Sequence, residues 1–217
     1  MVEAVVEKIE VIPGILEKDF NIIKQRVDLV KDYVEWVEID ILDNTLYPND
    51  TYNNWEAFKL FPPKIKRAAH LMVSDPYKYV ESLIKNGFTR LIADVAGETV
   101  RDFIEATKAH KIEVGVALDG PSPLELVEPY LGEVDTVLLM TIKSGFSGTS
   151  FLKEALPKIR KVHEEYQNLP IEVDGGIDKN TAPLVIQNGA TRLVSTSYLF
   201  WKNPHRIKEA IEELKNS

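Results

Sequence analysis

A chain of 217 residues is long enough for one sizeable core and lies at the short end of the range, roughly 200 residues upward, in which eightfold α/β barrels occur. The lack of any cysteine excludes disulfides, thiolate metal sites and a cysteine nucleophile, and a composition with no long apolar run points to a cytoplasmic protein without a membrane partner. A formal net charge of −8 opposes binding to a nucleic-acid backbone, so an anionic ligand requires a locally built site.

Eight short β-branched runs recur along the chain: KIEVIPGIL, WVEIDILD, RAAHLMV, TRLIADV, IEVGVAL, VDTVLLMTI, PIEVDGGI and ATRLVSTS. Between them lie helical patterns, such as DPYKYVESLIKNG after the third and SFLKEALPKIRKVHEEYQN after the sixth, with apolar residues three to four apart and turn residues at the ends. Strand alternating with helix predicts a parallel sheet with right-handed crossovers. Eight such units with no composition shift or linker predict a single (β/α)8 TIM barrel domain over residues 1–217, with an open doubly wound sheet as the rival. The main irregularity is the stretch 44–63, NTLYPNDTYNNWEAFKLFPP, which reads as a long loop with one helical turn. Because it follows the second strand, it falls at the end of the barrel where active sites form.

Glu38 and Asp40 alternate with Val37 and Ile39, so both carboxylates share one face of the second strand near its C-terminal end. The third strand puts Ala68, His70 and Met72 on one face, and the seventh ends in Asp174, followed at once by Gly175 and Gly176. Four oxygen and nitrogen donors thus come from three strand ends. The Gly-Gly turn also exposes backbone N–H groups and reads as a phosphate cradle. Thr196 and Ser197 end the eighth strand, and the loops after strands seven and eight are the usual phosphate-binding pair of such barrels. Gly145, Phe146, Ser147 and Gly148 add a third flexible turn with a hydroxyl donor. Leu42, Met72 and Met140 are candidates for an apolar ceiling over a substrate carbon, although core packing explains them more simply. His110, His163 and His205 fall in or beside helices among charged neighbours and read as solvated.

The segments HLMVSDP, LLMTIKSGFSGTSF and VDGGI resemble the signature segments of the ribulose-phosphate 3-epimerase family. The likeness extends to IPGILEKDF, EIDILDNTLYPN and VSTSYLF, in the same order over nearly the whole chain. What the resemblance implies is a pair of catalytic aspartates flanking the third carbon of a sugar phosphate, with a divalent metal held by two His and the same two Asp. The matching positions are Glu38, Asp40, His70 and Asp174, with Asp40 and Asp174 as the catalytic pair and Zn, Mn, Fe or Mg as the ion. A homo-oligomer is the expected assembly.

The departures from the family pattern are specific. Glu38 stands where the family has its first metal-ligand His, adding negative charge and harder character to the site. Gly14 and Glu17 stand in a first-strand motif that carries serines, Lys143 and Ser144 replace an Asn-Pro pair, and Thr196 replaces a Gly. The fourth strand ends Ala93, Asp94, Val95, Ala96 in place of a His and a Glu. The expected reaction is interconversion of D-ribulose 5-phosphate and D-xylulose 5-phosphate, a step of the pentose phosphate pathway. The alternatives are C3 epimerisation of a hexulose 6-phosphate such as allulose 6-phosphate, and a phosphosugar-binding barrel without catalysis. Decarboxylase and aldolase relatives are set aside because their acidic second-strand motif includes a lysine, which DILD lacks.

Overall fold

In each of the eight apolar runs the side chains alternate between the helices outside and the space enclosed by the sheet. The computed structural model describes residues 8–145 and 150–217. The strands are β1 (Glu10–Ile15), β2 (Trp36–Ile41), β3 (Lys66–Leu71), β4 (Arg90–Asp94), β5 (Glu113–Leu118), β6 (Thr136–Met140), β7 (Ile171–Asp174) and β8 (Arg192–Ser195). All pair in parallel in chain order, and β8 returns to β1 through the register Glu10↔Arg192 to Pro13↔Ser195, closing the barrel. The chain is a (β/α)8 TIM barrel, and the open-sheet rival is excluded by that last pairing.

Outward-facing residues such as Val37, Ile39, Leu91, Val116 and Val173 pack on the helices in one continuous core. Helix α1 (Phe20–Val30) starts where the Asp19 carboxylate accepts the Asn21 N–H at 2.8 Å, and it buries Ile23, Val27 and Val30 at helical spacing. Helices α2 (Val80–Lys85), α3 (Val100–Ala109), α4 (Ala155–Glu165), α5 (Ala182–Gln187) and α6 (Ile207–Lys215) cover the sheet in the same way. The crossovers after β2 and β5 carry only 3₁₀ turns, at Trp55–Leu60, Leu124–Leu126 and Glu128–Tyr130. Prolines at 48, 62, 63, 121, 123 and 129 remove the N–H donors that a longer helix needs. Among the described residues no helix is long and apolar enough to cross a membrane.

The barrel interior is layered. Its floor is ionic: Arg90, 1% exposed, contacts Glu172 at 3.1 Å, Glu113 at 3.0 Å and Glu10 at 3.6 Å, with its guanidinium 3.9 Å from the Trp36 ring centroid. Apolar residues follow, among them Ile12, Ala68 and Val194 on one side and Ile92, Ala117 and Leu138 on the other. The interior is full: a Cβ on Gly115 would lie 2.6 Å from Thr136 Cγ2. At the C-terminal ends of the strands, polar side chains reappear.

Candidate active site

Because β2 alternates, Glu38 and Asp40 both point inward, and the β2–β3 register sets Glu38 opposite Ala68 and Asp40 opposite His70. Asp174, the last residue of β7, lies across the mouth. Glu38, Asp40, His70 and Asp174 each offer a donor atom within 4.8 Å of the others. Glu38 and His70 are fully buried and Asp40 nearly so, while Asp174 is partly open to the cavity above. Both Glu38 oxygens, Asp40 Oδ1 and both His70 nitrogens have no hydrogen-bond partner among the described residues. Each such buried atom costs about 1–3 kcal/mol when left unsatisfied. One divalent cation can take one donor atom from each of the four side chains, and three carboxylates with one imidazole are a donor set that can hold it.

The electrostatics agree with that fit. Burial, then the neighbouring Glu172 and Asp40 carboxylates, push Glu38 well above the usual carboxylate range. Burial and Asp40, partly opposed by His70, push Asp174 up to about 8. For His70, burial works toward the neutral ring, but Asp40 and Asp174 prevail and raise it above its ordinary value. A positive charge at the centre of the cluster relieves the crowding of the carboxylates.

Above the cluster lies a narrow cavity bordered by Leu16, Asp40, Met72, Met140, Ile142, Gly145, Asp174, Gly175, Gly176, Ile177, Val194, Thr196 and Ser197. The free space within it is small, about 30 Å³. The structure thus brings together every candidate glycine turn that it describes; Ser147 and Gly148 lie outside the described residues. Gly175 and Gly176 have φ of +115° and +65°, the left-handed region that glycine alone enters freely. The Thr196 hydroxyl donates to Gly14 O at 2.9 Å, which leaves the backbone of Thr196 and Ser197 as its contribution to the rim. Leu42 is buried but does not border the cavity, because the chain turns there and the Leu42 N–H donates to Thr51 Oγ1 at 3.0 Å. Glu17 pairs with Arg26 of α1, which neutralises its charge near the mouth. His110, His163 and His205 are at the surface. A broader cleft of about 720 Å³, bordered by Glu10, His163 and Arg192, lies at the opposite end of the barrel and includes none of the candidate residues.

Two features were not singled out from the sequence. Glu172 sits beside Glu38 inside the barrel, and its alternation with Asp174 repeats that of Glu38 with Asp40, so the same period-2 signal marked it. Tyr47 Oη donates to Asp94 Oδ2 at 2.7 Å, a contact between positions 47 residues apart that no local pattern announces.

The ribulose-phosphate 3-epimerase family model matches residues 10–200, which takes in all eight strands and every candidate residue. The chain belongs to the ribulose-phosphate 3-epimerase family. This is a family of isomerases. Ribulose-phosphate 3-epimerase of Bacillus subtilis is 33% identical over 96% of this chain and 99% of its own length. The cytoplasmic isoform of ribulose-phosphate 3-epimerase from Oryza sativa is 33% identical over 88% of this chain and 87% of its own. The barrel also superposes on 3-hexulose-6-phosphate synthase from Salmonella typhimurium with a TM-score of 0.74, covering 95% of this chain and 97% of that one; at 14% identity the likeness is one of fold.

Proposed function

We propose that the protein is a sugar-phosphate 3-epimerase that interconverts D-ribulose 5-phosphate and D-xylulose 5-phosphate. The observation that carries the reading is the approach of Asp40 and Asp174, from β2 and β7 on opposite sides of the mouth, to within 4.8 Å beneath a rim of glycine turns. Two carboxyl groups facing a carbon from opposite sides account for inversion there. One removes the C3 proton from its face, leaving an enediolate, and the other delivers a proton to the opposite face; the roles exchange when the reaction runs backward. Glu38, Asp40, His70 and Asp174 would hold a divalent cation, which when bound supplies Lewis-acid polarisation of the neighbouring carbonyl. Met72 and Met140 line the cavity as an apolar wall that keeps water from the reacting carbon.

The phosphate lies, in this reading, against the backbone N–H groups of Gly175, Gly176, Thr196 and Ser197, with Gly145 bordering the same cavity; Ser147 and Gly148 are candidates from the sequence alone. The Gly-Gly turn at positive φ supports this, since no Cβ stands between its backbone and the cavity. Incubating the metal-loaded protein with pentulose 5-phosphates in deuterated water tests the proposal: deuterium appears at C3. Absence of that exchange with an intact fold refutes it. A hexulose 6-phosphate is the second reading, favoured by the Tyr47–Asp94 contact at the β4 side of the mouth, where this chain departs from the family pattern. Relative turnover of pentulose and hexulose phosphates separates the two.

A further inference from the structure

We propose that Tyr47 and Asn49, carried on the connection after β2 and braced on Asp94, are positioning residues that hold the Gly145 peptide in the conformation it presents to the phosphate site; this rests on the phosphate reading above. The segment 42–51 is a closed strap. Asn44 N–H donates to Asn49 O at 2.9 Å, Asn49 N–H to Tyr47 O at 2.8 Å and Thr51 N–H to Leu42 O at 3.1 Å, with Asn44 at a left-handed φ of 63°. Its base is fastened on both flanks. On the β3 side, Ser74 N–H donates to Thr45 Oγ1 at 2.9 Å, and Lys78 and Tyr79 donate to Asp43; on the β1 side, Tyr52 N–H donates to Glu17 O at 2.9 Å and Lys18 pairs with Asp50.

The tip of the strap then reaches two further strand ends. Tyr47 Oη donates to Asp94 Oδ2 at 2.7 Å, and Asp94, 1% exposed, is itself fixed by the Ala96 N–H donating to its Oδ1 at 2.9 Å. From that brace, Asn49 Nδ2 donates to Gly145 O at 2.9 Å, and Tyr47 packs so closely that a Cβ on Gly145 would lie 3.2 Å from Tyr47 Cβ. The other side of the same turn is held by Asp119 Oδ1, which accepts the Ser144 N–H at 2.6 Å. Gly145 has φ +103° and borders the same cavity as Gly175, Gly176, Thr196 and Ser197. A glycine in that conformation loses much freedom when ordered. Fixing its peptide plane before the ligand arrives removes that loss from the binding step, so the strap contributes affinity for the phosphate without touching the reacting carbon.

The test compares Tyr47→Phe and Asn49→Leu with Asp94→Asn. Asparagine keeps the brace, since its Oδ1 accepts the Ala96 N–H while its Nδ2 donates to Tyr47 Oη. Calorimetry with inorganic phosphate and steady-state kinetics with D-ribulose 5-phosphate are the readouts, with Gly176→Ala as the control for the phosphate site itself. Tyr47→Phe and Asn49→Leu raise the phosphate Kd and the KM about tenfold, the effect expected of one lost hydrogen bond to a strongly polar partner, and leave kcat and the melting temperature unchanged. Asp94→Asn behaves as wild type. If Gly176→Ala weakens phosphate binding while Tyr47→Phe and Asn49→Leu do not, the phosphate reading stands and the strap has no positioning role. A fall in kcat at constant KM also overturns the proposal, and wild-type protein that binds neither probe overturns it together with the phosphate reading.

Discussion

Asp40 and His70 are register partners on β2 and β3, and Oδ1 of the first stands 3.4 Å from Nδ1 of the second with neither atom otherwise hydrogen-bonded among the described residues. Two buried groups this close, with two further carboxylates within 4.8 Å, form a site whose chemistry depends on what Glu38 adds. Glu38 replaces a neutral imidazole by an anion, so three ligand carboxylates face a doubly charged ion. That favours Mn²⁺ or Mg²⁺ over Zn²⁺ relative to a site with two imidazoles. Glu38→His is expected to tighten Zn²⁺ by about tenfold or more, the scale seen for changes around metal ligands, and to weaken Mn²⁺. Titration of both ions by calorimetry decides it; unchanged affinities in the variant mean that Glu38 is not a ligand.

Asp40→Asn and Asp174→Asn each remove one of the two proposed proton carriers. Epimerisation is expected to fall by roughly two to four orders of magnitude, the usual contribution of a positioned acid or base. Each variant retains one carboxyl, so C3–H exchange with deuterated solvent from a single epimer outlasts epimer formation in at least one of the two. Equal loss of exchange and inversion in both variants contradicts the two-face scheme.

Gly176 is the most exacting position of the rim. Its φ of +65° is a left-handed conformation that a Cβ disfavours by about 1–2 kcal/mol, and that Cβ would lie 3.3 Å from Phe151 Cβ. Gly176→Val therefore costs the fold as well as the ligand. Gly176→Ala is the cleaner variant: its melting temperature falls by about 2–4 °C per kcal/mol lost in a chain of this size. The fall in affinity for phosphorylated sugar exceeds what that loss explains. Equal affinity for the sugar with and without its phosphate would falsify the assignment.

Asp43 makes the strap acid-sensitive. Burial works against its charge, but hydrogen bonds from Thr45, Tyr79 and Lys78 outweigh it and hold the carboxyl at about 2, below its ordinary 3.8. A depressed value means that the stabilisation, roughly 2 kcal/mol, is complete above pH 4 and disappears as pH falls through 2. Asp43→Asn is expected to flatten the decline of the urea midpoint between pH 4 and 2 while changing little at lower pH. An unchanged slope shows that the acid-labile group is elsewhere.

Arg90 is the counter-ion of the barrel floor. Arg90→Met leaves Glu172, Glu113 and Glu10 facing one another with, among the described residues, Arg192 alone to offset them, since Arg192 contacts Glu10 and Glu113 but not Glu172. A loss of about 3–5 kcal/mol is expected, as for other buried ion pairs broken from one side. Denaturant unfolding measures it, and a loss below 1 kcal/mol at neutral pH refutes a structural role for the network.

The eight strands and the faces on which Asp40, His70 and Asp174 stand follow from the amino-acid sequence, because a strand's period of two is local and fixes the face on which each side chain stands. The same period fails at Leu42, where the chain leaves β2 and the Leu42 N–H turns to Thr51. What only the tertiary structure decided is which faces meet once the sheet closes. Glu172 comes to lie beside Glu38, Arg90 is drawn among three glutamates, and Tyr47 reaches Asp94 across the mouth. These contacts join residues on different strands and loops, set by the stagger of the closed barrel and the path of a long connection, and short-range spacing carries no record of either.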